Sequence, residues 1–204
     1  MEETKAAIRL RIRAGREERH RTGGEASRRV QRRALLSAWW AVLAQLGLDP
    51  ASPSLLPALF VPTDREPDVS AILLAHPRSL LPVLVDGDGH ALAGPAWGRH
   101  TPGSALSAPS PRRPAQPDGP PLGPQALGEA DVILVAALAV DEGGSRLGQG
   151  GGWYDRALPG ARPGVPVIAA VFEDEVFPAR ALPREPHDHG VDAAVTPAGA
   201  RLLA

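Results

Sequence analysis

The chain has 204 residues, 43% of them hydrophobic, with 22 Lys and Arg against 23 Asp and Glu for a formal net charge of −1. That is enough to bury one good core, and the balanced charge argues against nucleic acid or a membrane as the partner. With no cysteine there is no disulfide, thiol nucleophile or cysteine metal site. No apolar run is long enough for a bilayer, and the N-terminus reads as a charged helix rather than an export signal, so the chain is expected to be cytoplasmic and to act on small molecules.

Residues 3–21 have helical periodicity, with Ile8 and Ile12 on one face and Lys5, Arg9, Arg13 and Arg16 on another. Such a stripe is ordinarily a solvated face, and Arg13 and Arg16 are assigned to it. Lys5 stands apart as the only lysine in an arginine-rich chain, and its compact, flexible ammonium suits a phosphate. A second helix is expected from about Ser27 to Leu46, capped by Ser27 and Gly47, with Trp39 and Trp40 as packing residues. Leu55 to Val61 reads as a strand, Asp68 to Ala75 as a helix, and Leu80 to Val85 as a strand ending at the turn Asp86-Gly87-Asp88-Gly89. Eight prolines between Pro102 and Pro124 exclude helix and central strand there, so residues 101–125 are read as an irregular surface excursion. Val132 to Asp141 forms a buried strand that opens into a glycine loop. A short helix from about Trp153, a strand from Val165 to Phe172 and a last strand at Ala193 to Thr196 follow. This alternation predicts an α/β fold, one domain over residues 1–204, with a mainly parallel sheet covered by helices on both faces. The glycine loop then lies at the carboxyl end of a strand, where open α/β sheets place ligands.

The loop reads Arg146-Leu147-Gly148-Gln149-Gly150-Gly151-Gly152-Trp153-Tyr154-Asp155-Arg156. Four glycines within five positions allow close backbone approach to a ligand, and consecutive N–H groups can cradle an anion. Phosphate fits best: Arg146 and Arg156 flank the loop, and Asp155 offers the hard oxygen magnesium prefers beside phosphates. The text matches neither the G-x-x-x-x-G-K-[ST] phosphate loop nor the G-x-G-x-x-G dinucleotide pattern. An ordinary glycine-rich surface loop is the alternative, with Asp155 as a helix cap and Asp188 as a turn residue. His187-Asp188-His189 also admits a transition-metal reading, although the other four histidines are scattered.

An apolar strand, then Val140-Asp141, then R-L-G-x-G-G-G-W-Y-D-R resembles the signature of the 5-formyltetrahydrofolate cyclo-ligase family. Four further stretches agree in order: Lys5-x-x-x-Arg9 with the family's K-x-x-x-R, Glu66-Pro67-Asp68-Val69 with E-x-D-T, Leu81-Pro82 with a strand ending L-P, and Leu182 to Asp188 with L-P-x-E-x-H-D. Arg112-Arg113-Pro114-Ala115-Gln116-Pro117 is the closest text to the family's G-I-P-E-P and has diverged. Trp153 replaces the first tyrosine of the usual pair, Gln149 an aromatic or basic residue, Val140 a phenylalanine and Val69 the threonine, with Ser70 one position later.

The resemblance implies ATP-dependent closure of 5-formyltetrahydrofolate to 5,10-methenyltetrahydrofolate through phosphorylation of the formyl oxygen, with magnesium as cofactor. It implies that Lys5, Arg9 and the run Arg146, Leu147, Gly148, Gln149, Gly150, Gly151, Gly152, Trp153 and Tyr154 bind ATP, Arg146 and Tyr154 being the catalytic candidates. Val61, Glu66 and Gln149 to Trp153 are the substrate candidates, and Asp155 and Asp188 the magnesium ligands. The chain is expected to act as a monomer or weak homodimer. Two other readings compete: a folate- or nucleotide-binding relative without turnover, and a sugar-phosphate enzyme on a similar scaffold.

Overall fold

The computed structural model describes residues 3–110 and 113–203, so Arg112 of the divergent proline segment lies outside the described residues. Two long helices come first, α1 (Lys5–Thr22) and α2 (Glu25–Gln45), then strand β1 (Pro57–Ala58), helix α3 (Ser70–Ala75) and the hairpin of β2 (Ser79–Val85) and β3 (Ala91–His100). Two short strands, β4 (Leu106–Ser107) and β5 (Gln116–Pro117), pair within the proline-rich stretch. They are followed by β6 (Val132–Ala136), β7 (Ala139–Asp141), β8 (Arg146–Leu147), α4 (Trp153–Ala157), β9 (Val167–Ala170), β10 (Val176–Phe177), β11 (Ala193–Thr196) and β12 (Gly199–Leu202).

Seven strands form the main sheet in the order β12-β11-β9-β6-β1-β2-β3. The five inner strands run parallel, and both edge strands are antiparallel. β6 is apolar at every position, as a strand covered on both faces requires. Its side chains alternate: Leu134 joins Leu35, Trp39, Val42 and Leu43 of α2 and Ile72 of α3 on one face. Ile133 and Val135 meet Trp97, Leu127, Ala157 and Leu158 on the other, where α4 and short 3-10 turns supply the cover. From β1 the chain moves through α3 to β2 on one side, and then returns to place β6 on the other side of β1. This reversal opens a crevice outside the carboxyl ends of β1 and β6.

Several expectations are corrected. The Asp86–Gly89 turn does not lead into a further strand-helix alternation; it closes an antiparallel hairpin whose second strand, β3, falls on residues 91–100, for which the sequence suggested no element. The apolar run 132–141 is not one strand. It breaks at Ala137-Leu138, and β7 leaves the main sheet for a small one in the order β10-β7-β8. The expected strand from Leu55 to Val61 is ladder-paired only at Pro57 and Ala58. α2 begins after Gly24 with no side-chain cap, so Ser27 lies inside it. Gly47 does close that helix: it has φ +73°, its N–H bonds Ala44 O at 3.1 Å, and Leu48 N bonds Leu43 O at 2.9 Å, a Schellman ending. The proline-rich stretch is not wholly a surface excursion either, because Gln116 and Pro117 are buried.

Candidate active site

The crevice holds a cleft of about 830 Å³, and every residue assigned above to ATP, folate or magnesium lines it: Lys5, Arg9, Val61, Glu66, the run Arg146 to Asp155, and Asp188. They arrive from α1, the exit of β1, the β8–α4 loop and the 182–191 segment, which only the fold brings together.

α1 does not rest on the main sheet. Ile8 and Ile12 pack with Leu138, Ala139, Leu147 and Leu182 at the small sheet, which turns the basic stripe toward the glycine loop. Lys5 Nζ bonds Asp188 Oδ2 at 2.6 Å and lies 3.1 Å from Glu185 Oε1. Burial works against the Lys5 charge, yet the hydrogen bonds to Asp188 and Glu185 outweigh it and raise the Lys5 pKa. Burial likewise opposes the Asp188 carboxylate, but Lys5 and the Glu185 amide hold its pKa below the ordinary value. Arg9 Nε donates to Gly148 O at 2.9 Å, and Arg13 donates to Gln149 O at 2.6 Å and to its Oε1 at 3.2 Å.

The solvated-face reading therefore fails for Arg16 and is incomplete for Arg13. The Arg16 side chain is 2% exposed and forms a bidentate pair with Glu175, itself 3% exposed, at 2.8 and 2.7 Å. A third bond, 2.7 Å to Ala137 O, serves the carbonyl at the break between β6 and β7. Arginine's fixed fork makes both contacts at once, which periodicity in a single helix cannot reveal.

The glycine loop is backed by charge. Arg146, 3% exposed, donates to Asp155 Oδ1, and its guanidinium carbon lies 5.7 Å from the centre of the Tyr154 ring. Gly150 and Gly152 have φ of +103° and +61°, the left-handed region that favours glycine, and a Cβ on Gly150 would stand 3.7 Å from the Arg9 guanidinium. Gly152 caps α4, so Asp155 is not the helix cap; it sits in the first turn. Among the described residues Arg156 pairs with no carboxylate, yet it does not point only to solvent: Nη1 donates to Gly151 O at 3.0 Å and braces the loop. Burial holds the Tyr154 phenol protonated, raising its pKa, while the Ala136 backbone and Arg146 pull the other way and Glu66 adds to the rise. Tyr154 can thus donate a hydrogen bond at neutral pH but is a poor base. Trp153 stacks edge-on against buried Trp97 at 5.2 Å and against Tyr154 at 5.0 Å, which gives the departure from the tyrosine pair a packing partner.

Asp141 ties the two charged segments together. It is fully buried, its Oδ1 accepts from Gly143 N and Ser145 N at 3.1 and 2.9 Å, and its Oδ2 from Leu182 N at 3.2 Å. Val191 N bonds Gly144 O at 2.9 Å. Both ends of the segment carrying Asp188 are thereby fastened to the turn that leads into Arg146.

Across the cleft, Val61 leaves β1, and Glu66 is held by Thr63, whose N–H and hydroxyl donate to Glu66 Oε2 at 2.8 and 2.9 Å. Val69, in place of threonine, is a core residue, and the Ser70 amide donates to Asp68 Oδ1 at 3.1 Å. Asp155 and Asp188 suit magnesium as a donor set. Asp188 commits Oδ2 to Lys5 and the Glu185 amide, and Asp155 commits Oδ1 to Arg146 and to His189 N at 3.3 Å. Each keeps a second hard oxygen that accepts no hydrogen bond among the described residues, which matches an ion that takes few protein carboxylates and keeps its waters. His187 lies 3.3 Å from Glu185 Oε2 and is exposed.

The sequence reading missed Thr63, Glu185, Pro114 and Ala115 as lining residues. Thr63 carried a readable signal, the T-x-x-E spacing to Glu66, which places a hydroxyl within reach of a carboxylate.

The profile of the 5-formyltetrahydrofolate cyclo-ligase family matches residues 1–197. A protein named 5-formyltetrahydrofolate cyclo-ligase from Mycolicibacterium smegmatis is 41% identical over 143 residues, 68% of this chain and 71% of that one. The NMR structure of Aquifex aeolicus 5,10-methenyltetrahydrofolate synthetase superposes with a TM-score of 0.71 at 25% identity, covering 98% of this chain and 92% of that one. A 5,10-methenyltetrahydrofolate synthetase from Mycoplasma pneumoniae shares the fold at TM-score 0.62 and 18% identity, covering 94% and 97%. With the family profile spanning nearly its whole length and the fold agreeing, the chain belongs to the 5-formyltetrahydrofolate cyclo-ligase family and is a ligase.

Proposed function

We propose that the chain converts 5-formyltetrahydrofolate and ATP to 5,10-methenyltetrahydrofolate, ADP and phosphate, with magnesium bound at Asp155 and Asp188. The observation that carries the reading is a cleft in which a cationic wall of Lys5, Arg9 and Arg146 with a glycine loop meets an apolar wall ending in Glu66. The formyl oxygen is an amide oxygen and a poor leaving group. Its attack on the γ-phosphorus expels ADP and turns it into a phosphate ester; nitrogen 10 then adds to the formyl carbon, which closes the five-membered ring, loses its proton, and phosphate departs to leave the methenyl bridge. No covalent enzyme nucleophile is needed, so positioning and charge stabilisation account for the catalysis.

In this reading Lys5, Arg9 and the loop from Arg146 to Tyr154 hold the nucleotide phosphates, with Arg146 and the neutral Tyr154 phenol donating to the transferring group. Val61, Glu66 and the loop from Gln149 to Trp153 orient the pterin. Asp155 and Asp188 would hold the magnesium, which would supply positive charge against the phosphates. The same reading takes residues 1–204 as one catalytic domain.

The test is to mix purified protein with 5-formyltetrahydrofolate, ATP and magnesium and follow the near-ultraviolet absorption of the methenyl product. Product that requires all three supports the reading. Binding of folate or ATP without product would favour a relative without turnover.

A further inference from the structure

The proline-rich stretch enters the cleft through Pro114 and Ala115, and what holds it there is the next residue. Gln116 is 6% exposed. Its Oε1 accepts from Leu84 N at 2.9 Å and Val85 N at 3.2 Å, and its Nε2 donates to Val85 O at 2.9 Å. These groups lie where the β2–β3 register shifts between Val83 and Val85. A register irregularity leaves backbone groups without ladder partners, and a buried peptide group must find one elsewhere. The Gln116 amide supplies both a donor and an acceptor, acting as a peptide surrogate on β2. Pro117 completes the attachment on β3: a Cβ on Gly98 would come within 3.0 Å of the Pro117 ring, so the glycine there lets the ring seat. Leu84 itself lines the cleft, so the anchor and the wall it secures are one unit.

We infer that Gln116 is a positioning residue for the folate side of the cleft: it touches no substrate and acts by fixing Pro114, Ala115 and Leu84 as a rigid wall. The inference rests on the proposed cyclo-ligase reading. Rigidity matters because a wall ordered before binding spares the ligand the entropy of ordering it. Three bonds to a buried amide are lost together when the amide is removed, so the effect falls on this wall and not on the phosphate side.

The experiment compares Gln116→Met, Gln116→Glu and Pro114→Gly with the parent in steady-state cyclisation, varying 5-formyltetrahydrofolate and ATP separately. Gln116→Met keeps the length but offers no amide, and should raise KM for the folate about tenfold or more while KM for ATP stays within about twofold of the parent. Gln116→Glu still accepts from Leu84 and Val85 and should recover part of the folate affinity. Pro114→Gly leaves the anchor and loosens the wall; it should raise KM for the folate while the melting temperature falls by no more than a few degrees. The last two carry the test if Gln116→Met does not fold. Folate KM values unchanged in the variants, or equal rises in both KM values, would overturn the inference. A parent without product would instead overturn the cyclo-ligase reading and this inference with it, and that control is read first.

Discussion

On the wall built by α1, the glycine loop and residues 182–191, polar side chains are committed to one another or to the loop backbone: Lys5 to Asp188, Arg9 to the Gly148 carbonyl, Arg146 to Asp155. On the wall built by the exits of β1 and β2 and by residues 114–115, the cleft meets Phe60, Val61, Pro82 and Leu84, with Glu66 as its carboxylate. One wall is organised by charge and the other by packing. Each cation of the first wall already has a carboxylate or carbonyl for company, so it is held in place before any phosphate arrives, and substitutions there should be read in ATP and magnesium dependence. Substitutions on the second wall should be read in folate affinity.

The largest effects test the charged wall. Asp155→Asn and Asp188→Asn are each expected to lower kcat by about 10²–10³-fold, with part of the loss returning at high magnesium. A purely ion-pairing role, Asp155 to Arg146 and Asp188 to Lys5, predicts a loss that added magnesium does not restore, and a magnesium series decides between the two. Next come Lys5→Ala and Arg9→Ala. Loss of one charge-assisted bond is worth about 1.5–3 kcal/mol, a rise in ATP KM of roughly ten- to a hundredfold, with folate affinity nearly unchanged. Equal ATP KM in variant and parent would remove these residues from the phosphate site.

Glu66→Gln sharpens the comparison from the other side. The amide keeps the shape and its bonds from Thr63 but loses the charge offered to the pterin donors, and folate affinity should fall roughly tenfold or more by titration. An ATP KM that shifted instead would erase the distinction between the walls.

The smallest effect on turnover is expected far from both walls. His76 is buried under α2, where Trp39 Nε1 donates to its Nε2 at 2.8 Å, and burial lowers its pKa from 6.5 to about 4. The fold thus favours the neutral ring. Its contribution is fully present above pH 6.5 and is lost as pH falls from there toward about 4. His76→Gln keeps an acceptor for Trp39 and should flatten this acid limb of the melting temperature against pH, with both KM values at parent levels. A limb of unchanged steepness would show that other groups carry the acid sensitivity.

The site was legible where one short stretch carried its own chemistry. The glycine loop with Arg146 and Asp155, the isolated Lys5 four residues before Arg9, and the late Asp188 all line one cleft. Arg16 was not legible, because its meaning lies in Glu175, far along the chain, and an arginine on a helix looks the same whether its fork meets water or a buried carboxylate. Nor was β3, since the turn Asp86–Gly89 is compatible with several continuations and only pairing with β2 selects a hairpin.

From the sequence alone came the fold class, the family resemblance and the residue types of the cleft, because apolar periodicity and short motifs are local and the physics behind them acts over a few residues. The reversal of strand order that creates the crevice, the turning of the basic stripe onto the loop, the union of Asp155 with Arg146 and of Asp188 with Lys5, and the seating of Gln116 on β2 were decided only by tertiary structure. Each depends on groups distant in sequence being desolvated together. A buried donor or charge must find its partner wherever the fold brings one, and that demand leaves no periodic trace in the chain.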